Sequence, residues 1–147
     1  MKKFLFSLTS ILLIICLLSS CGGDRIVDIV TTAEAVLING KEVDTVEASM
    51  GAFEGKQGDY IEFRFSEEQT FNTVFINEKS ASVRQYNIFA EVDGEFKLIY
   101  TDKLIINENI AIEETTATAL RFQVVNTEIG NDNFTIQGIS AYNIEVA

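Results

Sequence analysis

The stretch VRQYNIFAEVDGEFKLIY, residues 83–100, decides the fold. Tyr86, Ile88, Ala90 and Val92 fall on every second position, with Gln85, Asn87 and Glu91 among the residues between them. Side chains on a strand point alternately to its two faces, so this spacing gives one apolar and one polar face. Asp93-Gly94 follows, and then Phe96, Leu98 and Tyr100 alternate again on one face of a second strand. Asp-Gly accepts positive φ at both positions, which matches the twist of paired strands. The segment reads as a β-hairpin.

The same period runs outward in both directions. In YIEFRF (60–65), Ile61, Phe63 and Phe65 share one face, and Tyr60, Glu62 and Arg64 the other. TFNTVFIN (70–77) is more apolar and reads as a central strand. LII (104–106) and NIAI (109–112) read as short strands around a turn at Asn107-Glu108-Asn109. ALRFQVV (119–125) turns Leu120, Phe122 and Val124 inward, and FTIQGISAYNIEV (134–146) closes the chain with a bulge expected at Gly138. TTAEAVL (31–37) is the only weak helical candidate after the N-terminal run. About ten short antiparallel strands predict an all-β sandwich or jelly roll. Proline is absent, so Glu62, Arg64, Glu91, Glu95 and Lys97 are the expected edge guards.

The beginning of the chain has another character. Met1, Lys2 and Lys3 precede an almost wholly apolar run, Phe4 to Leu18. That is about 15 residues, short for a membrane span. A basic start, an apolar run and small residues make a secretory signal. Leu18-Ser19-Ser20-Cys21 resembles the bacterial lipobox. The resemblance implies a diacylglycerol on the Cys21 sulfur and cleavage before it. The expected layout is a signal peptide at 1–20, a lipidated tether at 21–24 and one β-sandwich domain at 25–147. The protein is then exported, lipid-anchored to a bacterial membrane and displayed at the surface.

Composition narrows the chemistry. Cys16 leaves with the signal and Cys21 carries lipid, so the mature domain has no thiol. Histidine is absent from all 147 residues, which removes Ser-His and Cys-His catalysis and the commonest metal ligand. Cleavage leaves 9 basic against 22 acidic residues, a net charge of −13. Such a surface repels nucleic acid, and no nucleic-acid partner is expected. Glu67-Glu68 and Glu113-Glu114 read as solvated turn residues. No phosphate loop, dinucleotide fingerprint or zinc motif is present, and no enzyme is expected.

Three blocks then resemble the discoidin family, also called coagulation factor 5/8 type C domains. They are GDYIEFRFSEEQTFNTVFINE, VRQYNIFAEVDGEFKLIYTDK and TTATALRFQVVNTEIGNDNFTIQGISAYNI, spanning Gly58 to Ile144. The resemblance implies a galactose-binding-like sandwich of two antiparallel sheets, with a ligand site on loops at one end. Departures are clear: the family's N-terminal block is replaced by NGKEVDTVEASMGAF (39–53), and its tryptophans by Tyr60 and Phe96.

A sugar has an apolar CH face and a rim of hydroxyls, so its site needs a ring and planar polar groups. The chain has no tryptophan, and Phe53 and Phe134 are the loop candidates for the ring. Asn126, Glu128, Asn131, Asp132 and Asn133 stand beside Phe134, either as a hydroxyl-binding rim or as turn residues. Glu78 and Arg84 flank the loop before the hairpin; they either clasp a ligand or form a structural ion pair. Arg121 reads as structural. The resemblance also implies a structural calcium, for which Asn39, Glu42 and Asp44 offer oxygen ligands; no other cofactor is expected. The expected function is a non-catalytic carbohydrate-binding module on a surface lipoprotein. The alternative is a structural or protein-interaction lipoprotein that has lost the sugar site, with a surface protein as its partner.

Overall fold

The computed structural model describes residues 26–145. The lipobox cysteine Cys21 and the apolar run before it lie outside the described residues. No helix among the described residues is long and apolar enough to cross a membrane.

Eight strands form one antiparallel sheet: β1 (Ala35–Ile38), β2 (Lys41–Glu42), β3 (Phe53–Lys56), β4 (Tyr60–Glu78), β5 (Val83–Val92), β6 (Glu95–Asp102), β7 (Asn109–Thr127) and β8 (Asn133–Tyr142). The order is β2-β1-β4-β7-β5-β6, with β8 pairing β4 and β3 pairing β8. Two strands hold the architecture together. β4 and β7 each run 19 residues, and each belongs to both layers of the sandwich. The first part of β4 pairs β1, and its later part pairs β8. The β4–β7 register shifts between Arg64 and Gln69, where the paired strands bend over from one layer to the other. YIEFRF and TFNTVFIN are thus one strand, as are NIAI and ALRFQVV. The acid pairs Glu67-Glu68 and Glu113-Glu114 sit exposed within these long strands, not in connections between strands.

The alternating residues meet in the middle. Ile61, Phe63, Phe71, Ile76, Ile88, Leu120, Phe122 and Val124 are all buried to 1 % exposure or less. Burying such side chains contributes about 1.5–3 kcal/mol each, and this removes water from the whole sandwich interior. Asp93 and Gly94 link β5 to β6 with φ of 56° and 79°, the expected hairpin turn. Asn39-Gly40 makes the same turn between β1 and β2, with φ of 52° and 78°.

Several expectations change. TTAEAVL is split between a 3-10 turn, Ile29–Thr32, and β1. A short helix, α1 (Val46–Ser49), is capped by the Thr45 hydroxyl, which accepts from the Ala48 amide. LII is not a strand; it lies in the connection from β6 to β7. The edge guards are also redistributed. Glu62 and Arg64 lie on β4, an interior strand, and Glu62 is 2 % exposed. In β6 the register shifts so that Ile88 faces Tyr100 while Phe89 faces Leu98. Ile99 is the extra residue, so Phe96 and Leu98 stand on the outer face while Tyr100 turns toward Tyr86. The bulge expected near Gly138 is present: Asn77 pairs Gly138 and Glu78 pairs Ile136.

Candidate functional site at the loop end

Three connections meet at one end of the sandwich: residues 57–59, 79–82 and 128–132. Backbone hydrogen bonds join them. The Gln57 amide donates to Asp132 O at 3.0 Å, and the Glu128 amide to Ser82 O at 2.7 Å. The Ser82 hydroxyl donates to Asn133 O at 2.9 Å. Loops tied to each other hold their side chains in a fixed arrangement. Between them lies an open hollow of about 700 Å³, lined by Gln57, Arg84, Asn126, Glu128, Ile129 and Asp132 among others. The Ile129 side chain stands fully exposed at the loop tip.

The hollow gathers Arg84, Asn126, Glu128 and Asp132 from the residues singled out in the sequence. Arg84 donates to Ala81 O at 2.9 Å and Val83 O at 3.0 Å, and its other terminal nitrogen lies 3.3 Å from Glu128. Both charges are half open to solvent, so this pair orients side chains more than it stabilises the fold. The Asn126 amide donates to Gln85 Oε1 at 2.8 Å. Asn131 behaves as a turn residue; its Oδ1 accepts from the Asn133 amide at 3.2 Å.

Phe53, Phe134 and Glu78 are elsewhere. Phe53 is 5 % exposed and Phe134 2 %. They are the first residue of β3 and the second of β8, on the inner face, and their rings meet edge to face at 5.2 Å. The Phe134 ring lies over Gly55, where a Cβ would approach its Cζ to 2.7 Å. Neither ring presents a face to a ligand, because strand alternation outranks proximity to the loop. Glu78 is buried too. Its Oε1 accepts from the Ser80 hydroxyl at 2.6 Å, the Ser82 amide at 2.7 Å and the Val83 amide at 3.0 Å. It ties its own loop and neither clasps a ligand with Arg84 nor pairs with it.

The oxygen set for calcium is divided. Asn39 Oδ1 accepts from the Tyr60 amide, and its Nδ2 donates to Asp59. Glu42 and Asp44 line a separate shallow hollow of about 280 Å³ with Glu34 and Thr45. Among the described residues, no cluster of three carboxylates is placed to hold a metal ion.

One cluster escaped the sequence reading. On the outer face, Arg121 donates through Nε and Nη2 to Glu62 Oε2 at 2.9 and 2.7 Å. Its guanidinium lies 3.7 Å from the Phe96 ring centre and 4.5 Å from that of Tyr60. Arg64 reaches the other Glu62 oxygen at 2.6 Å. Cross-strand pairing of Glu62 with Arg121 brings these charges together, and the two rings cover them.

Neither a protein-family model nor a curated protein sequence matches the chain. Solved structures do match its fold. Chitosan-binding module 1 of a chitosanase/glucanase from Paenibacillus sp. IK-5 is similar at 15% identity and TM-score 0.62, covering 80% of this chain and 99% of that one. The CBM32 of AlyQ, in complex with 4,5-unsaturated mannuronic acid, is similar at 16% identity and TM-score 0.57, covering 76% and 96%. The GH29 fucosidase of Ruminococcus gnavus, in complex with fucose, is similar at 18% identity and TM-score 0.61 over 81% of this chain. This chain spans 27% of that fucosidase's length, and 21% of the SpGH29 structure, which it matches at 14% identity and TM-score 0.57 over 65% of its own residues. The well-covered neighbours are binding modules, and likeness at these identities is a likeness of fold. The chain has the antiparallel β-sandwich of the carbohydrate-binding modules, the galactose-binding-like fold.

Proposed function

We propose that this chain is a non-catalytic carbohydrate-binding module of the discoidin type, carried on a bacterial surface lipoprotein anchored through Cys21. The observation that carries the reading is the loop-end hollow. Gln57, Arg84, Asn126 and Asp132 ring it with planar polar groups, and the exposed Ile129 side chain offers an apolar contact. A sugar's hydroxyl rim and CH face call for that combination. Binding here rests on Arg and amide hydrogen bonds and on an aliphatic contact, without aromatic stacking from Phe53 or Phe134. The contact area is small, so single copies bind weakly, and many copies on one membrane gain avidity.

A second reading has its own support. Burial of both phenylalanines leaves the loop end without an aromatic platform, which favours a surface lipoprotein that contacts another protein. A glycan array probed with the purified mature chain, with and without calcium, separates the two. Binding to a defined glycan set that weakens with Arg84→Ala upholds the first reading. Silence across the array at high protein density sinks it. The calcium arm decides whether Glu42 and Asp44 hold an ion.

A further inference from the structure

The connection between β6 and β7, residues 103–108, roofs a second hollow. It encloses about 150 Å³ and is lined by Tyr86, Tyr100, Asp102, Leu104, Ile106 and Glu108, among others. A cavity of about that volume admits a single benzene ring. The floor is aromatic: the Tyr86 and Tyr100 rings stand 6.2 Å apart, tilted by 35°. Tyr86 is 2 % exposed and is backed by Phe122 at 5.6 Å. The Tyr100 hydroxyl donates to Asp102 Oδ2 at 3.0 Å. The roof is pinned by Asn107, whose Oδ1 accepts from the Glu78 amide at 3.1 Å. Yet the roof exposes apolar side chains, with Leu104 at 52% and Ile106 at 65%.

The charge is one-sided. Asp102 and Glu108 contribute carboxylates, and no lysine or arginine lines the hollow. Lys103 is exposed and is not part of the lining. The half-buried Tyr100 ring, backed by the buried Tyr86, two carboxylates and an apolar rim form surroundings that attract a soft cation. An anion is repelled there. We propose that this hollow is a second binding site, selective for a small organic ammonium ion. The Tyr100 ring and the carboxylates supply the attraction, while Leu104 and Ile106 cover the alkyl groups around the nitrogen. The site shares no lining residue with the loop-end hollow.

Choline and 3,3-dimethylbutan-1-ol, which share a shape but not a charge, test it by calorimetric titration of the purified protein. Choline is expected to bind saturably and about tenfold tighter than the neutral analogue. Tyr100→Leu and Asp102→Asn are each expected to weaken choline about tenfold. The wild-type protein is also followed by NMR, a readout that does not depend on any variant's folding. Choline should shift resonances of Tyr86, Tyr100, Leu104 and Ile106 and leave Gln57, Asn126 and Asp132 of the loop-end hollow unmoved. Equal affinity for the two compounds, no saturable choline binding, or shifts centred elsewhere would overturn the proposal.

Discussion

Glu62 is the most constrained charged side chain in the described chain. It keeps 2 % of its surface exposed while both oxygens accept from arginines, Arg64 on one side and Arg121 on the other. Removing one partner of a buried pair costs about 3–5 kcal/mol, because the remaining charge stays desolvated. Here the remaining guanidinium groups keep some contact with water. Glu62→Ala is therefore expected near the lower end, a loss of about 3 kcal/mol in urea unfolding. A loss below about 1 kcal/mol, the scale of an exposed pair, would show that the cluster is a surface ornament. At this scale the sequence was partly misleading. Arg84 on β5, Asn126 on β7 and Asp132 in the 128–132 loop line one hollow, a grouping the sequence does not show, whereas Phe53 and Phe134 obey strand alternation and turn inward. Ile129 carried no signal as an aliphatic residue in a polar loop, and only its exposure marks it.

Elements were legible where a local rule had no rival. Asp93-Gly94 foretold its hairpin because few residue pairs accept two positive φ values. Asn39-Gly40 bears the same signal, but its side-chain oxygen drew attention to calcium instead of to the turn. The bends in β4 and β7 were not legible, since strand periodicity says nothing of which layer a strand joins. The bulge at Ile99 was hidden too, and it reversed the face expected for Phe96 and Leu98. One element invites a direct test. Glu78 holds the 79–82 loop through three hydrogen bonds to one carboxylate oxygen, and Ala81 O of that loop accepts from the Arg84 guanidinium beside the hollow. Glu78→Ala should abolish exchange protection at the Ser82 and Val83 amides while sparing β5 beyond Tyr86. It should also weaken any glycan found on the array by about tenfold, through lost orientation of Arg84. Unchanged protection at both amides would mean that the loop is held by other contacts.

The whole molecule answers to pH, and the proposed anchor at Cys21 adds a test on membranes. Burial first, and then the Tyr100 and Asp102 charges, push the Tyr86 hydroxyl well above the ordinary tyrosine range. Burial and the hydrogen bond to Asp102 push Tyr100 upward as well. An unfolded chain releases these protons near pH 10, while the folded chain holds them to higher pH. The folded state then binds more protons above pH 10, so its stability is full below that value and falls as pH rises beyond it. Tyr86→Phe should make the alkaline decline of the melting temperature shallower; an identical decline would remove Tyr86 as its cause. Attachment follows from charge in a different way. The net charge of −13 expected after cleavage before Cys21 is repelled by anionic headgroups, so electrostatics would not hold the proposed lipoprotein to a membrane. Acyl chains can, at about 0.8 kcal/mol per buried CH₂, and two or more make the anchor stable. Salt screens the first kind of attraction and leaves the second intact. On the proposed anchoring, the protein should therefore stay with membranes through a high-salt wash and come off in detergent. Cys21→Ala should appear in the soluble exported fraction with its sandwich intact. Release of the unaltered protein by salt alone, or sedimentation of the Cys21→Ala chain with membranes, would show that another surface does the anchoring.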